Sequence, residues 1–359
     1  MSKNQTPISP AEQLKRDLAS QQREVNELQE KVKLSTLADQ IEDLNTKVNN
    51  LSRRVNDLRN NNYIFDTNLE TKAHEYLKKW QPIHTNLKFK LNQESSSLKT
   101  NMKTLEDQLV KASTNISNLS FSRQIINSLK VSTENLSEKI SASEKMIRGM
   151  FDSFERDLNI FIKNLTNIEW TVKEYESSNI KLFPHEFLIM GVKSTWTRDG
   201  EKDKDDPEGR LFLTDQRIIF EQKQEVATKK FLFITREREL IQEILVDIPL
   251  SLVENINTSK QGIFKNQDYL EINFASGSQY PQTEFHLQNQ DCEDWKALIN
   301  KVLSGDYDKN RTEDVDQEVL EKIKNAPTIC PQCGATLNVQ IIRGMDQFTC
   351  EFCGVVIKL

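Results

Sequence analysis

From Pro10 to Pro184 the chain contains one interior proline, Pro82, and one glycine, Gly149; every other glycine lies later. Residues that end helices and close turns are therefore nearly absent from half of the sequence, which has to run as long helices. Hydrophobic residues make up 36% and charged residues 28% of the 359. That balance suits narrow apolar seams better than a large globular core, and a compact catalytic domain is not expected in this half.

The apolar spacing fits coiled-coil helices over residues 13–178, behind a polar, disordered N-terminus at 1–12. One seam runs through Leu34, Leu37, Ile41, Leu44, Val48, Leu51, Val55 and Leu58, and Val25, Leu28 and Val32 precede it in another phase. From Leu98 to Tyr175 a single heptad frame holds without a skip. Its a positions are apolar at both ends but read Arg123, Lys130, Ser137 and Glu144 in the middle, where the helix must be exposed or turn back. Bends are expected near 35, 60 and 82, at Ser35-Thr36, Asn60–Asn62 and Pro82, with the longer helix starting after Pro82. The seams need a partner: a second copy, giving a homo-oligomer, or the earlier helices folded back.

Beyond Ser178 the residues change to alternating β-branched and aromatic runs. Strands are predicted over 186–197, 209–214, 216–222, 230–235, 243–248, 252–258, 269–275 and 283–287. A closing helix follows over 291–303, with Trp295, Leu298, Ile299 and Val302 on one face. The run Gly209-Arg210-Leu211-Phe212-Leu213-Thr214-Asp215-Gln216-Arg217-Ile218-Ile219-Phe220 resembles the GRAM domain, a member of the pleckstrin-homology-like (PH-like) superfold. Asp247-Ile248-Pro249-Leu250 and Trp295 extend the likeness across 183–304. The resemblance implies a seven-stranded bent barrel with one C-terminal helix, used by relatives to bind membrane lipids or proteins.

Charge weighs between those uses. Residues 180–304 carry 16 Lys/Arg against 21 Asp/Glu, and the loop 199–209 is rich in aspartate. A phosphorylated headgroup calls for a basic site, and only Lys223, Lys229 and Lys230 approach one. Protein binding is the favoured use, with a peripheral membrane role as the alternative. No segment is basic enough to suggest nucleic acid strongly, which leaves a nucleic-acid-binding regulator as the weaker alternative. An acidic linker at 305–327, with a short helix near Val319–Lys324, leads to the C-terminus.

Cys330-Pro-Gln-Cys333-Gly334 and Cys350-Glu-Phe-Cys353-Gly354 are two knuckles sixteen residues apart. Two residues between cysteines let both thiolates of a tight turn reach one ion, and the following glycine accepts positive φ. Such spacing predicts one structural Zn2+ held by Cys330, Cys333, Cys350 and Cys353, with iron as the rival metal. Residues 328–359 resemble the zinc-ribbon family, with strands expected over 335–342, 347–349 and 355–359 and a turn at 343–346.

Cys292 lacks a second cysteine nearby, and His286 is its one conceivable general base; His74, His84 and His185 are scattered. No phosphate-cradling loop or nucleophile elbow stands out. The expectation is a multidomain, non-enzymatic, cytoplasmic adaptor or scaffold: a helical coiled coil, a PH-like barrel and a zinc ribbon, the last two binding protein. Paired cysteines argue for a reducing compartment, and the polar N-terminus for the lack of a signal segment.

Overall fold

The computed structural model describes residues 9–197, 206–231, 234–264, 266–276, 278–313, 326–327, 329–337 and 347–359, with the backbone alone over 226–231 and 234–238. Five helices come first: α1 (Pro10–Lys31), α2 (Ser35–Asn60), α3 (Leu69–Thr114), α4 (Leu119–Gly149) and α5 (Asp152–Glu176). Order starts earlier than expected. Pro10 takes the first helical position, where its missing N–H costs nothing, and the Ser9 hydroxyl accepts from the Glu12 amide.

The chain divides into two compact units, the first comprising the segment up to Ser52 together with Thr71–Phe161. Within it the helices fold back on one another. Helix α3 runs antiparallel to α1 and α2, as shown by Gln29 donating to Glu106, the Ser95 hydroxyl to the Val32 carbonyl, and the Trp80 indole to Asn45. It is likewise antiparallel to α4 and α5, through Ser143 to Glu94 and Tyr76 to the Asp157 carbonyl. The partner for the apolar seams is thus supplied within the chain, and Leu37, Ile41, Leu44, Val48 and Leu51 are all buried there.

Two helical expectations are corrected. Pro82 neither starts nor ends a helix; α3 runs through it for 46 residues, about 69 Å. The lost hydrogen bond is offset by the burial of Trp80 and Leu87 on either side, with Trp80 stacked on Phe154. The single frame from Leu98 to Tyr175 is also broken, at 115–118, where Asn118 caps α4 by accepting from the Phe121 amide. The expected d positions Ile126, Thr133, Ile140 and Ile147 stay buried beyond the break, but the residues just before the polar a positions, and not the a positions themselves, complete the stripe. In α4 the buried positions are Ser122, Ile126, Leu129, Thr133, Leu136, Ile140, Ser143 and Ile147, so Arg123, Lys130, Ser137 and Glu144 face solvent.

The second unit comprises Arg53–Glu70 and Ile162–Leu359. Its centre is one antiparallel sheet of seven strands: β1 (Leu188–Thr197), β2 (Glu208–Thr214), β3 (Arg217–Phe231), β4 (Ile234–Pro249), β5 (Val253–Gln261), β6 (Gln267–Phe274) and β7 (Gln282–Leu287). They lie in the order β4-β3-β2-β1-β7-β6-β5, and α6 (Cys292–Leu303) packs on β5 and β6. This is the PH-like arrangement, with Leu211, Phe212, Ile219, Phe220, Phe285 and Trp295 buried in it. Eight strands were expected and seven are found, because β3 and β4 form one long ribbon that takes in the segment read as a separate strand at 230–235. Beyond the last pair of β2 with β3, Gly209↔Gln222, the described part of β3 pairs with β4 alone.

Residues before the first strand also pack on the sheet. The end of α5 is built into it: Thr171 accepts from the Gly191 amide at 2.7 Å, Glu174 pairs with Arg210, and the Asn179 amide donates to the buried Glu221 at 2.6 Å. Arg54 grips Glu169 with two bonds of 2.7 Å. The start of the expected acidic linker is also packed. Phe65, in the loop after α2, bridges to Arg311, Thr312 donates to the Ile64 carbonyl at 2.7 Å, and the buried Arg311 pairs with Asp215 and Asp308. The helix expected at Val319–Lys324 lies outside the described residues, as do the aspartate-rich loop at 198–205, part of the strand at 335–342 and the turn at 343–346.

Candidate metal centre

The two cysteine knuckles are copies of one local structure, twenty residues apart. In the first, Ile329 bridges to Thr336, the Cys330 amide donates to Ala335 O at 2.8 Å, and the Gly334 amide to Cys330 O at 2.9 Å. In the second, Thr349 pairs with Val356, the Cys350 amide donates to Val355 O at 2.8 Å, and the Gly354 amide to Cys350 O at 2.9 Å. Gly334 and Gly354 both have φ of +73°, a conformation that explains why glycine follows the second cysteine of each pair. Strands β8 (Gln347–Thr349) and β9 (Val356–Lys358) form the second hairpin, and Phe348 and Ile357 pack with Cys330 and Cys350 into a small core.

These turns bring four sulfur atoms to within 4.8 Å of one another. The Cys330–Cys353 separation is 3.7 Å and that of Cys333–Cys350 is 3.8 Å, with all four residues unbridged. Disulfides would bring paired sulfurs to about 2.05 Å. Four sulfurs each about 2.3 Å from a central ion stand about 3.8 Å apart along a tetrahedron's edges, so the donor set fits a tetrahedral metal ion. All four sequence-derived ligands come together.

The four thiols do not share one local field. The Cys333 amide aimed at the Cys330 sulfur outweighs burial and, with the Gln332 amide, holds that thiol down to about 6. The Val355 amide pulls on Cys353 in the same sense, but burial and the sulfurs of Cys333, Cys350 and Cys330 push it up to about 12. Cys333 is likewise raised: its Ala335 amide is outweighed by the Cys330 sulfur and by burial. One thiolate forms readily and raises the thiols of Cys333 and Cys353, a repulsion that a bound cation would offset.

The other residues singled out in the sequence have different roles. Cys292, at the start of α6, is buried beside Asp268 and Asp291; burial, then those acids, raise its thiol to about 11, the reverse of an activated nucleophile. His286 stacks on Tyr269 at 4.8 Å. Lys223 donates to Ser177, while the side chains of Lys229 and Lys230 lie outside the described residues. The polar residues of the 209–220 run form a buried lock. Arg217 reaches Glu186 at 2.8 Å, Asp247 at 2.6 Å and the Lys181 carbonyl at 2.9 Å, and Thr214 donates to Glu186 at 2.6 Å. Arg217 holds β3, β4 and the approach to β1 together, a role that Glu186, outside the 209–220 run, shares.

No family model and no curated protein matches this chain. Among solved structures, the Vps36 N-terminal PH domain is similar at 19% identity and a TM-score of 0.25, covering 35% of this chain and 84% of that one. The DH/PH domains of PDZ-RhoGEF, in complex with GTP-gamma-S activated RhoA, reach 12% and 0.23 over 76% of this chain and 94% of theirs. Those of p115-RhoGEF reach 12% and 0.21 over 77% and 94%. Such low TM-scores carry no functional inference, and the PH-like character of the second unit rests on its strand order and closing helix.

Proposed function

We propose that the chain is a non-enzymatic, modular interaction protein of the reducing cytoplasm, in which a GRAM-like domain and a zinc ribbon bind protein and the helical bundle serves as their spacer. The observation that carries the reading is the closed set of four sulfurs. Four thiolates complete a zinc tetrahedron and leave no position for water or substrate, so the metal would act as a staple for a segment too short to fold on its own core. The staple presents apolar surface: Phe352, between the ligands of the second knuckle, is 67% exposed, and Ile329 and Val356 are more than half exposed. Lys358 is the one cation among the described residues of this segment, which favours a protein over nucleic acid.

The test is made in the full chain, with Ile329→Asp and Phe352→Asp combined. About one zinc per chain is retained, because no ligand is touched, while the proteins captured by the unmodified chain are lost. If the variant captures the same proteins, the metal module is not the binding head. If the unmodified chain purifies without zinc, the staple itself is wrong.

A further inference from the structure

The hairpin joining β5 and β6 carries apolar side chains where a soluble domain would normally place polar ones. Gln261 pairs with Gln267 at the end of the ladder, and Gly262, with φ of +87°, turns the chain into the tip. An added Cβ at Gly262 would meet the Asn266 and Gln267 side chains at 3.1–3.3 Å, so the turn is compact. Beyond it Ile263 is 95% and Phe264 85% exposed, more than any other large hydrophobic residue described. The ribbon behind them is polar: Asn257, Thr258, Ser259, Lys260 and Gln261.

We infer that Ile263 and Phe264 are an interfacial anchor that dips into the surface of a lipid bilayer. Size and shape select this occupant. An aromatic side chain offers about 150–250 Å² and Ile less, whereas a stable protein interface buries about 800 Å² per partner. Two apolar side chains on a convex tip, ringed by polar residues, fall well short of a dimer or protein interface. Fluid hydrocarbon can surround such a tip from all sides, and a small apolar insertion is what reversible peripheral attachment requires.

The charges behind the tip set the kind of surface. Lys260 is paired with Asp291 at 2.5 Å and Asp268 at 3.6 Å, and Thr258 donates to Glu293. Lys260 is therefore balanced by acids, while Lys265, which follows Phe264 in the sequence, lies outside the described residues. Attachment rests on apolar insertion of Ile263 and Phe264 into loosely packed lipid. This inference is independent of the protein-binding role proposed for the metal module, since the two surfaces share no residue.

The test uses the full chain with small, highly curved vesicles of phosphatidylcholine. The unmodified chain floats with the vesicles, and raising the salt leaves the bound fraction nearly unchanged. The double variant Ile263→Asp, Phe264→Asp lowers the bound fraction at least about tenfold, with an unchanged thermal midpoint and zinc content. A separate Phe264→Trp chain reports insertion directly, through quenching of its added fluorescence by lipids brominated on the acyl chain. Any one of four outcomes overturns the inference: no flotation of the unmodified chain, equal flotation of the double variant, binding confined to anionic vesicles and abolished by salt, or a self-association that the double variant removes in place of vesicle binding.

Discussion

At the scale of single residues, cysteines and buried charges decide most. Cys330, Cys333, Cys350 and Cys353 were legible in the sequence because a Cys-x-x-Cys knuckle is a local structure: two residues, a turn and a glycine fix where the sulfurs point. Cys350→Ser should release the metal, taking the zinc content from about one per chain towards zero, as read by metal analysis of the purified protein. Acid should do the same reversibly. Protons compete with the metal for the thiolates, so affinity falls as pH falls. Arg217 is a different case, since a motif can reveal the arginine but not its partner. Glu186 is fully buried against it, so Arg217→Ala leaves an uncompensated charge and should cost about 3–5 kcal/mol in a denaturant melt. Replacing both, as Arg217→Met with Glu186→Gln, should cost less than Arg217→Ala alone.

At the scale of elements, periodicity predicted the helices well and their ends poorly. The break at 115–118 has no proline or glycine to mark it and shifts the buried stripe of α4 by a fraction of a turn, which a continuous heptad frame absorbs without any visible skip. Pro82 misleads in the other direction, because a lost hydrogen bond is a local cost and the packing of Trp80 and Leu87 is not local. The strands of the PH-like sheet were placed within a few residues wherever one face is buried. Helix α5 presses on β1 at Gly191, where an added Cβ would lie 2.9 Å from the Phe212 ring and 3.3 Å from Thr171. Gly191→Ala should therefore destabilise the second unit by about 1–3 kcal/mol through overpacking, measurable as a lowered unfolding midpoint. Wild-type stability in that variant would mean that α5 does not bear on the sheet as described.

At the scale of the whole molecule, the compact units do not follow the order of the chain. The PH-like unit takes in Arg53–Glu70 and the end of α5, held by Arg54 to Glu169, Glu174 to Arg210, and Phe65 to Arg311. A chain beginning at Ile180 contains every strand yet lacks those contacts. It should unfold at a clearly lower temperature than the sheet does in the full chain, with Gly191 and Glu221 uncovered; equal midpoints by circular dichroism would show the helical additions to be dispensable. The helical first half, the strand-rich middle and the four clustered cysteines can be read from the chain alone, because each is written in residues that are near neighbours or repeat at a fixed period. That the apolar seams close within one chain, that a loop from the helical half joins the PH-like unit, and that Ile263 and Phe264 stand uncovered emerges from the folded molecule. Those outcomes depend on contacts between residues from 35 to 248 positions apart, or on the absence of such contacts, and neither leaves a local pattern to read.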